Sequence, residues 1–212
     1  MRQCKRPEGK VMTTPTDRRI NAAAVRLFTA KGTTRLTISE LAQEANVARG
    51  TLYRNVGSVE DLFNRIVAEF SADLHRRVAA TFADIDDPAA RLAIGVRLWV
   101  RYAHENPTMG RFAVRFGLTE ESLRAVMAGP PMQDIKAGIA AGRYDIGASS
   151  IDSIASLAVG ATVSAMWMVL EGHQTWRDAG TSTAELLLRA MGIDPAEAHE
   201  ICMADLPHMS TA

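Results

Sequence analysis

Between positions 49 and 55 the chain carries Arg49, Gly50, Thr51, Tyr53, Arg54 and Asn55, a run of hydrogen-bonding side chains within two helical turns. Arginine can donate two hydrogen bonds to a guanine edge, an asparagine amide can pair with adenine, and Thr or Tyr hydroxyls can reach phosphate or a thymine edge. Gly50 would let the backbone approach a phosphate closely. Thr37, read as the cap of the preceding helix, could aim that helix's free N–H groups at another. The candidate DNA-contacting set is Thr37, Ala48, Arg49, Gly50, Thr51, Tyr53, Arg54 and Asn55. By themselves such residues would be only a solvated basic face; the turn in front of them gives them a purpose.

That turn belongs to the stretch Thr37 to Leu62, TISELAQEANVARGTLYRNVGSVEDL. Its first helix would turn Ile38, Leu41, Ala42 and Ala45 to one side, with Ala42 small enough for a second helix to cross closely. Asn46 tolerates the left-handed conformation that a sharp turn between helices needs. Val47 would plug the corner, and Leu52 and Val56 would hold the second helix on the first. This is helix-turn-helix spacing, in which the second helix projects its other face outward.

Elsewhere almost every boundary signal is also a helix start: a capping side chain, sometimes a proline, and an acid three residues on. Thr37–Glu40, Ser58–Asp61, Ser149–Asp152, Ser182–Glu185 and Asp194–Glu197 have that form, and Asp87-Pro88 and Asn106-Pro107 are its cap-then-proline version. The apolar spacing between them is helical, as in Ile20, Ala24, Leu27, Phe28 and in Leu62, Ile66, Phe70, Leu74, Val78. With no alternating β run, the expectation is an all-α protein of nine or ten helices. Residues 1–15 read as a disordered basic tail, 16–60 as a three-helix DNA-binding domain, and 61–212 as a larger helical domain.

At 212 residues, 47% hydrophobic and 23% charged, the chain is ordinary globular material. Its zero net charge hides an asymmetry: residues 1–57 hold eleven Lys/Arg against four Asp/Glu, the remainder thirteen against twenty. One end is suited to a polyanion and the other is not. Cys4 and Cys202 form neither a C-x-x-C pair nor a disulfide framework, which fits a reducing, cytoplasmic setting. Met1 to Lys10 is basic but no apolar run follows it, so a secretion signal is not expected. Ser153 to Leu170 is uncharged over 18 residues, yet its serines, Gly160 and alanines make it a buried helix with an interface rather than a membrane span. No G-x-S-x-G, Walker loop or H-E-x-x-H is present; His173, His199 and His208 lack the company of metal ligands, and His104 beside Glu105 reads as a partly buried or capping histidine rather than a proton-transfer pair. Neither an enzyme, nor a metal site, nor a cofactor is expected.

In the middle of the chain Leu92, Ile94, Val96, Leu98, Trp99 and Tyr102 put apolar groups around most of a helix, which must therefore be covered on several sides. Singly these are core residues. As a group, Trp99, Tyr102, Met109, Phe112, Phe116, Met127 and Trp167, with Met132 nearby, suggest the wall of a cavity for an apolar or amphipathic small molecule. Arg97, Arg101 and His104 are candidate polar anchors. In the uncharged helix, Ala158, Ala161 and Ala165 recur on one face and Ser153, Ser156, Gly160 and Ser164 on its neighbour. With the following Leu186 to Leu188 this favours a symmetric homodimer.

The chain resembles the TetR-type (TetR/AcrR) one-component transcriptional regulators. DRRINAAAVRLFTAKG, TISELAQEANVARGTLY and SVEDLFNRIV match that family in order and spacing, strongly over Asp17 to Phe70. PPMQDIKAGIAAGRYDIGAS, the small-residue helix and LLLRAMGIDPAEA resemble its ligand-binding and dimerisation domain. The resemblance implies an obligate dimer that sets its two reading helices in successive major grooves. It implies a four-helix interface from about Ile151 to Gly172 and Ala184 to Met191, and release of DNA, usually by a repressor, when a small molecule enters the cavity. Three positions depart from the pattern: Asn55-Val56 stands where the family commonly has an aromatic pair, and Val59 where it has a phosphate-binding lysine. Fewer phosphate contacts should give a shallower salt dependence. The same departures keep open an alternative, a module of the same fold acting through a protein partner with weak or no DNA binding.

Overall fold

The computed structural model describes residues 14–146 and 151–209. Arg2, Lys5, Arg6, Lys10, Cys4 and the expected helix start at Ser149 lie outside them. The described residues form eleven α-helices and one 3-10 turn, with no strand. The chain divides into two compact units, one ending at Phe63 and the other starting at Asn64.

The first unit holds α1 (Pro15–Lys31), α2 (Ile38–Ala45), α3 (Arg49–Asn55) and the opening of α4 (Val59–Ala79). Thr14 caps α1: its hydroxyl oxygen accepts the Asp17 N–H, and Gly32 ends the helix in the left-handed region at φ 63°. Ile20, Ala24 and Phe28 of α1 are buried with Leu41, Ala42 and Ala45 of α2. Leu52 and Val56 are buried from α3, and Phe63 meets Phe28 edge to face at 5.2 Å. Asn46 takes the left-handed turn between α2 and α3 at φ 51°, and Val47, half-buried, follows it. Ser58 caps α4 by accepting the Asp61 N–H at 3.0 Å.

The second unit takes α4 onward through a 3-10 turn (Ala80–Phe82), α5 (Pro88–Glu105), α6 (Pro107–Phe116), α7 (Glu120–Ala128) and α8 (Pro130–Ala140). It ends with α9 (Ile151–Leu170), α10 (Trp176–Ala190) and α11 (Pro195–Met203). As its all-round apolar pattern requires, α5 is the central post: α6, α8, α9, α10 and α11 all pack on it. Asp87 caps α5 and is gripped by Arg143 at 2.8 and 3.1 Å, while the same guanidinium reaches Glu197 in the first turn of α11 at 2.8 Å. Cys202 is a buried free thiol. α9, whose one charged residue is Asp152 in its first turn, packs on α5, α6, α8 and α10, so its apolar length serves a core.

Three expectations about helix starts change. Ser182 does not begin a helix: it lies inside α10, which starts six residues earlier at Trp176 under a Thr175 cap. A Cβ at Gly180 inside α10 would sit 3.3 Å from the Arg97 Cα, so the glycine lets the helix lie close on α5. Asn106 does not cap α6 with its side chain; its amide donates to the Tyr102 carbonyl at 3.3 Å and closes α5 instead. Among the described residues the helices number eleven rather than nine or ten, with the segment from Asp87 to Arg143 divided into four.

Candidate nucleic-acid interface and ligand cavity

The order of charges in the first unit decides what α3 can offer. Both acids of α2 are engaged by α1: Glu44 pairs with Arg26 at 2.8 Å, and Glu40 pairs with Lys31. Arg19 of α1 donates to the Asn46 carbonyl at 3.2 Å and so braces the turn. No acid lies in α3, and neither Arg49 nor Arg54 makes an ion pair with any described residue. Leu52 is fully buried and anchors the helix, while Arg49, Tyr53 and Arg54 are exposed, Tyr53 to 62%. An anchored inner face and an unneutralised cationic outer face are what a base-reading helix needs.

The remaining candidates divide. A Cβ built on Gly50 would meet nothing within 4 Å, so packing does not require glycine there. Ala48 stands at the N-cap of α3 without a side-chain bond, and Arg54 leans on the Thr51 hydroxyl at 3.3 Å. The Asn55 amide is turned back on its own helix, donating to the Thr51 carbonyl at 2.8 Å. Thr37 caps α2, but Glu40 folds back to accept its backbone N–H at 2.8 Å and its hydroxyl at 2.9 Å. The N–H groups of Ile38 and Ser39 are the ones left for a phosphate. Lys31 and these two Thr37 bonds, in that order, hold the Glu40 carboxyl at about 2.

In the second unit α4 to α9 line a partly open cavity of about 150 Å³. Trp99, Phe112 and Phe116 line it, as does Met132, joined by Phe70 of α4. Tyr102 does not: it is held between Phe70, at 5.8 Å, and the Arg77 guanidinium, 5.7 Å from its ring centre. Met109 packs into the cluster around Leu74 and Leu98, and Met127 and Trp167 are exposed, the latter against His173 at 5.3 Å. Nor do the expected polar anchors line it. Arg97 donates to the Ala204 carbonyl at 2.9 Å, Arg101 pairs with Glu105 at 2.7 Å, and His104 is exposed.

The polar groups of the cavity are different residues: Ser71 and His75 from α4, Arg91 from α5, Ser122 from α7, Asp134 from α8 and Thr162 from α9. His75 is buried beside Trp99 at 5.3 Å, and desolvation pushes its pKa below the ordinary 6.5. Desolvation pushes the Asp134 carboxyl up, against the Arg91 guanidinium 3.3 Å away. Among the described residues no three His, Cys, Asp or Glu gather as a metal site would require.

An all-helical chain whose second helix of a helix-turn-helix carries free arginines on an anchored frame is a DNA-binding protein of the one-component regulator kind. Comparison with known proteins agrees. Residues 20–66 match the family model "Bacterial regulatory proteins, tetR family", and residues 87–204 match "Tetracyclin repressor-like, C-terminal domain". The chain belongs to the TetR family of helix-turn-helix transcriptional regulators, a family without enzymatic activity. It is 33% identical over 111 residues to an uncharacterized HTH-type transcriptional regulator of Mycobacterium tuberculosis, covering 52% of this chain and 54% of that protein. The chain spans about half the length of the curated relatives it matches. Among solved structures it resembles RolR in complex with the ligand resorcinol, with TM-score 0.69, 25% identity, and coverage of 92% of this chain and 96% of that one. It also resembles a tetR family transcription regulator from Shewanella sp. PV-4, with TM-score 0.72, 20% identity, and coverage of 84% and 98%.

Proposed function

We propose that the protein is a cytoplasmic repressor that binds a palindromic operator as a homodimer and is released by a small apolar or amphipathic molecule held in the α4 to α9 cavity. The observation that carries the DNA-binding part is the outer face of α3, where Arg49, Tyr53 and Arg54 stand exposed on a helix pinned by Leu52 and Val56. On this reading Arg49, Tyr53 and Arg54 address bases and phosphates, Ala48, Gly50 and Thr51 allow close backbone approach, and the start of α2 at Thr37 faces a phosphate. Asn55 contributes through its free amide oxygen.

The ligand part is supported by a ring-lined cavity and by the resorcinol-bound RolR structure. The dimer is supported by α9. Ser153, Ser156, Leu157, Ser164 and Trp167 follow helical spacing and are exposed, and a Cβ at Gly160 would meet nothing within 4 Å. Leu186 of α10 is 62% exposed. Such a row of small and apolar side chains suits a second copy of the same face.

The test is selection of fragmented host DNA by the purified protein at near-physiological salt, beside an Arg49→Ala, Tyr53→Ala double variant. Enrichment of a palindrome by the wild type alone is the expected result. If both proteins stay folded and neither enriches any sequence, the DNA-binding role of α3 is wrong and the alternative, a module acting through a protein partner, takes its place.

A further inference from the structure

The cavity lined by α4 to α9 has few polar groups, and nearly all of them are already spent. Ser122 donates to the Phe116 carbonyl at 2.8 Å and Thr162 to the Ala158 carbonyl at 2.7 Å, so neither hydroxyl has a hydrogen left for a ligand. Arg91 is held by the Ile85 carbonyl at 2.6 Å and faces Asp134 at 3.3 Å. Among the described residues these are the only two formal charges on the lining, and they oppose each other. A ligand carboxylate would have to compete with Asp134 for Arg91 and would set a second negative charge beside it; an ammonium would have to displace Arg91. Either exchange inside a desolvated cavity is costly.

His75 is the exception. It is 7% exposed, its Nδ1 lies 3.3 Å from the Ser71 Oγ, and its Nε2 has no hydrogen-bond partner among the described residues. Burial keeps the ring neutral near pH 7, so it offers a hydrogen bond without a charge. Around it the walls are aromatic: Trp99 stands edge to face on Phe70 at 5.8 Å, and Phe112 tilts against Phe116 at 5.1 Å. A volume of about 150 Å³ equals that of an engineered apolar cavity that admits benzene, so a single ring fits.

Resting on the reading of this cavity as the effector site, we infer that its ligand is a compact, uncharged, single-ring aromatic bearing a hydroxyl group, which lies among Phe70, Trp99, Phe112 and Phe116 and hydrogen-bonds the Nε2 of His75. The aromatic walls recognise the ring, the paired Arg91 and Asp134 turn away acids and amines, and His75 separates a phenol from a plain arene.

The experiment is calorimetric titration of the full chain, without DNA, by phenol, toluene, benzoate and octanoate. Two variants go alongside: His75→Leu and Gly95→Leu. A Cβ at Gly95, on the cavity wall, would meet only Val78 at 4.0 Å, so a leucine there projects into free space. Phenol is expected to bind about tenfold more tightly than toluene, the margin of one buried hydrogen bond, and both anions more weakly than toluene. His75→Leu should remove the phenol preference, lowering phenol affinity to the toluene level or below it because the hydroxyl is then buried without a partner, while toluene still binds, which a folding defect would not do. Gly95→Leu should abolish binding of both with its thermal unfolding intact. Tighter binding of benzoate or octanoate than of phenol, an undiminished phenol preference in His75→Leu, or full binding by Gly95→Leu overturns the inference, as does failure of phenol to bind at all. Phenol binding that follows both variants but leaves affinity for selected DNA unchanged supports the ligand class and overturns the effector reading instead.

Discussion

Glu40 closes the start of α2 by accepting from Thr37 while it holds Lys31 of α1, so one carboxylate serves a helix cap and a helix–helix tie. Its pKa in the folded chain is about 2, against an ordinary 4.5. The sign follows from linkage: a depressed folded pKa adds stability that is fully present above the unfolded value and is lost as pH falls toward the folded one. Glu40→Gln should therefore lower the melting temperature at pH 7, and its difference from the wild type should shrink between about pH 4.5 and 2; thermal unfolding by circular dichroism at stepped pH reads this. A difference that stays constant through that window would mean the carboxylate's charge is not what the cap uses. Thr37 and Glu40 were legible in sequence because a capping box is a local pattern. His75, Ser71, Arg91 and Asp134 were not, since their shared cavity exists only once α4, α5 and α8 come together, and no local spacing records that. Trp99, Phe112 and Phe116 were readable as rings needing cover, but the same reasoning selected Tyr102, which its neighbours enclose outside the cavity, and Met127, which is exposed.

At the scale of the element, α3 is short and has no side-chain cap, so it depends on Leu52 and Val56 for its place. Glycine at its second residue weakens such a helix, and the open space around Gly50 shows that packing does not ask for it. Gly50→Ala is expected to stabilise the free protein by roughly 0.5–1 kcal/mol and to weaken operator binding at the same time, because the added methyl stands where the backbone would approach a phosphate. Urea unfolding and a DNA titration on one preparation check both signs; a stabilised protein with unchanged affinity would remove Gly50 from the interface. Asn46 offers the converse case. Its φ of 51° suits asparagine and glycine but strains a β-branched residue, so Asn46→Val should destabilise by about 1 kcal/mol or more while Asn46→Gly is tolerated. This turn could be read from sequence because asparagine's tolerance is intrinsic to the residue. The start of α10 could not, because Gly180 is there for the backbone of Arg97, a neighbour 83 positions away.

At the scale of the whole molecule, the proposed dimer converts a modest reading helix into a selective one. One α3 offers few side chains to one groove, and the Asn55 amide is partly spent on its own helix. Two copies joined rigidly make the second binding event intramolecular, which can raise affinity for a palindrome by about 10²–10⁴ without any new contact. The exposed row of α9 is the place to break that link. Ser164 is exposed near its centre, between Gly160 and Trp167, and makes no hydrogen bond that the fold needs. Ser164→Arg would set two like charges against each other across a symmetric contact and leave the single chain's core alone. The expected outcome is a monomer by sedimentation with unchanged helical signal, and operator affinity reduced by about 10² or more. Phenol binding, which needs only α4 to α9 of one chain, should persist in that monomer. If Ser164→Arg remains dimeric and binds the operator as before, α9 is not the interface, and the exposed Leu186 and Met203 become the surfaces to alter next. If it becomes monomeric yet keeps its affinity, one α3 suffices and the palindrome reading falls, because a lone reader gains nothing from a second half-site.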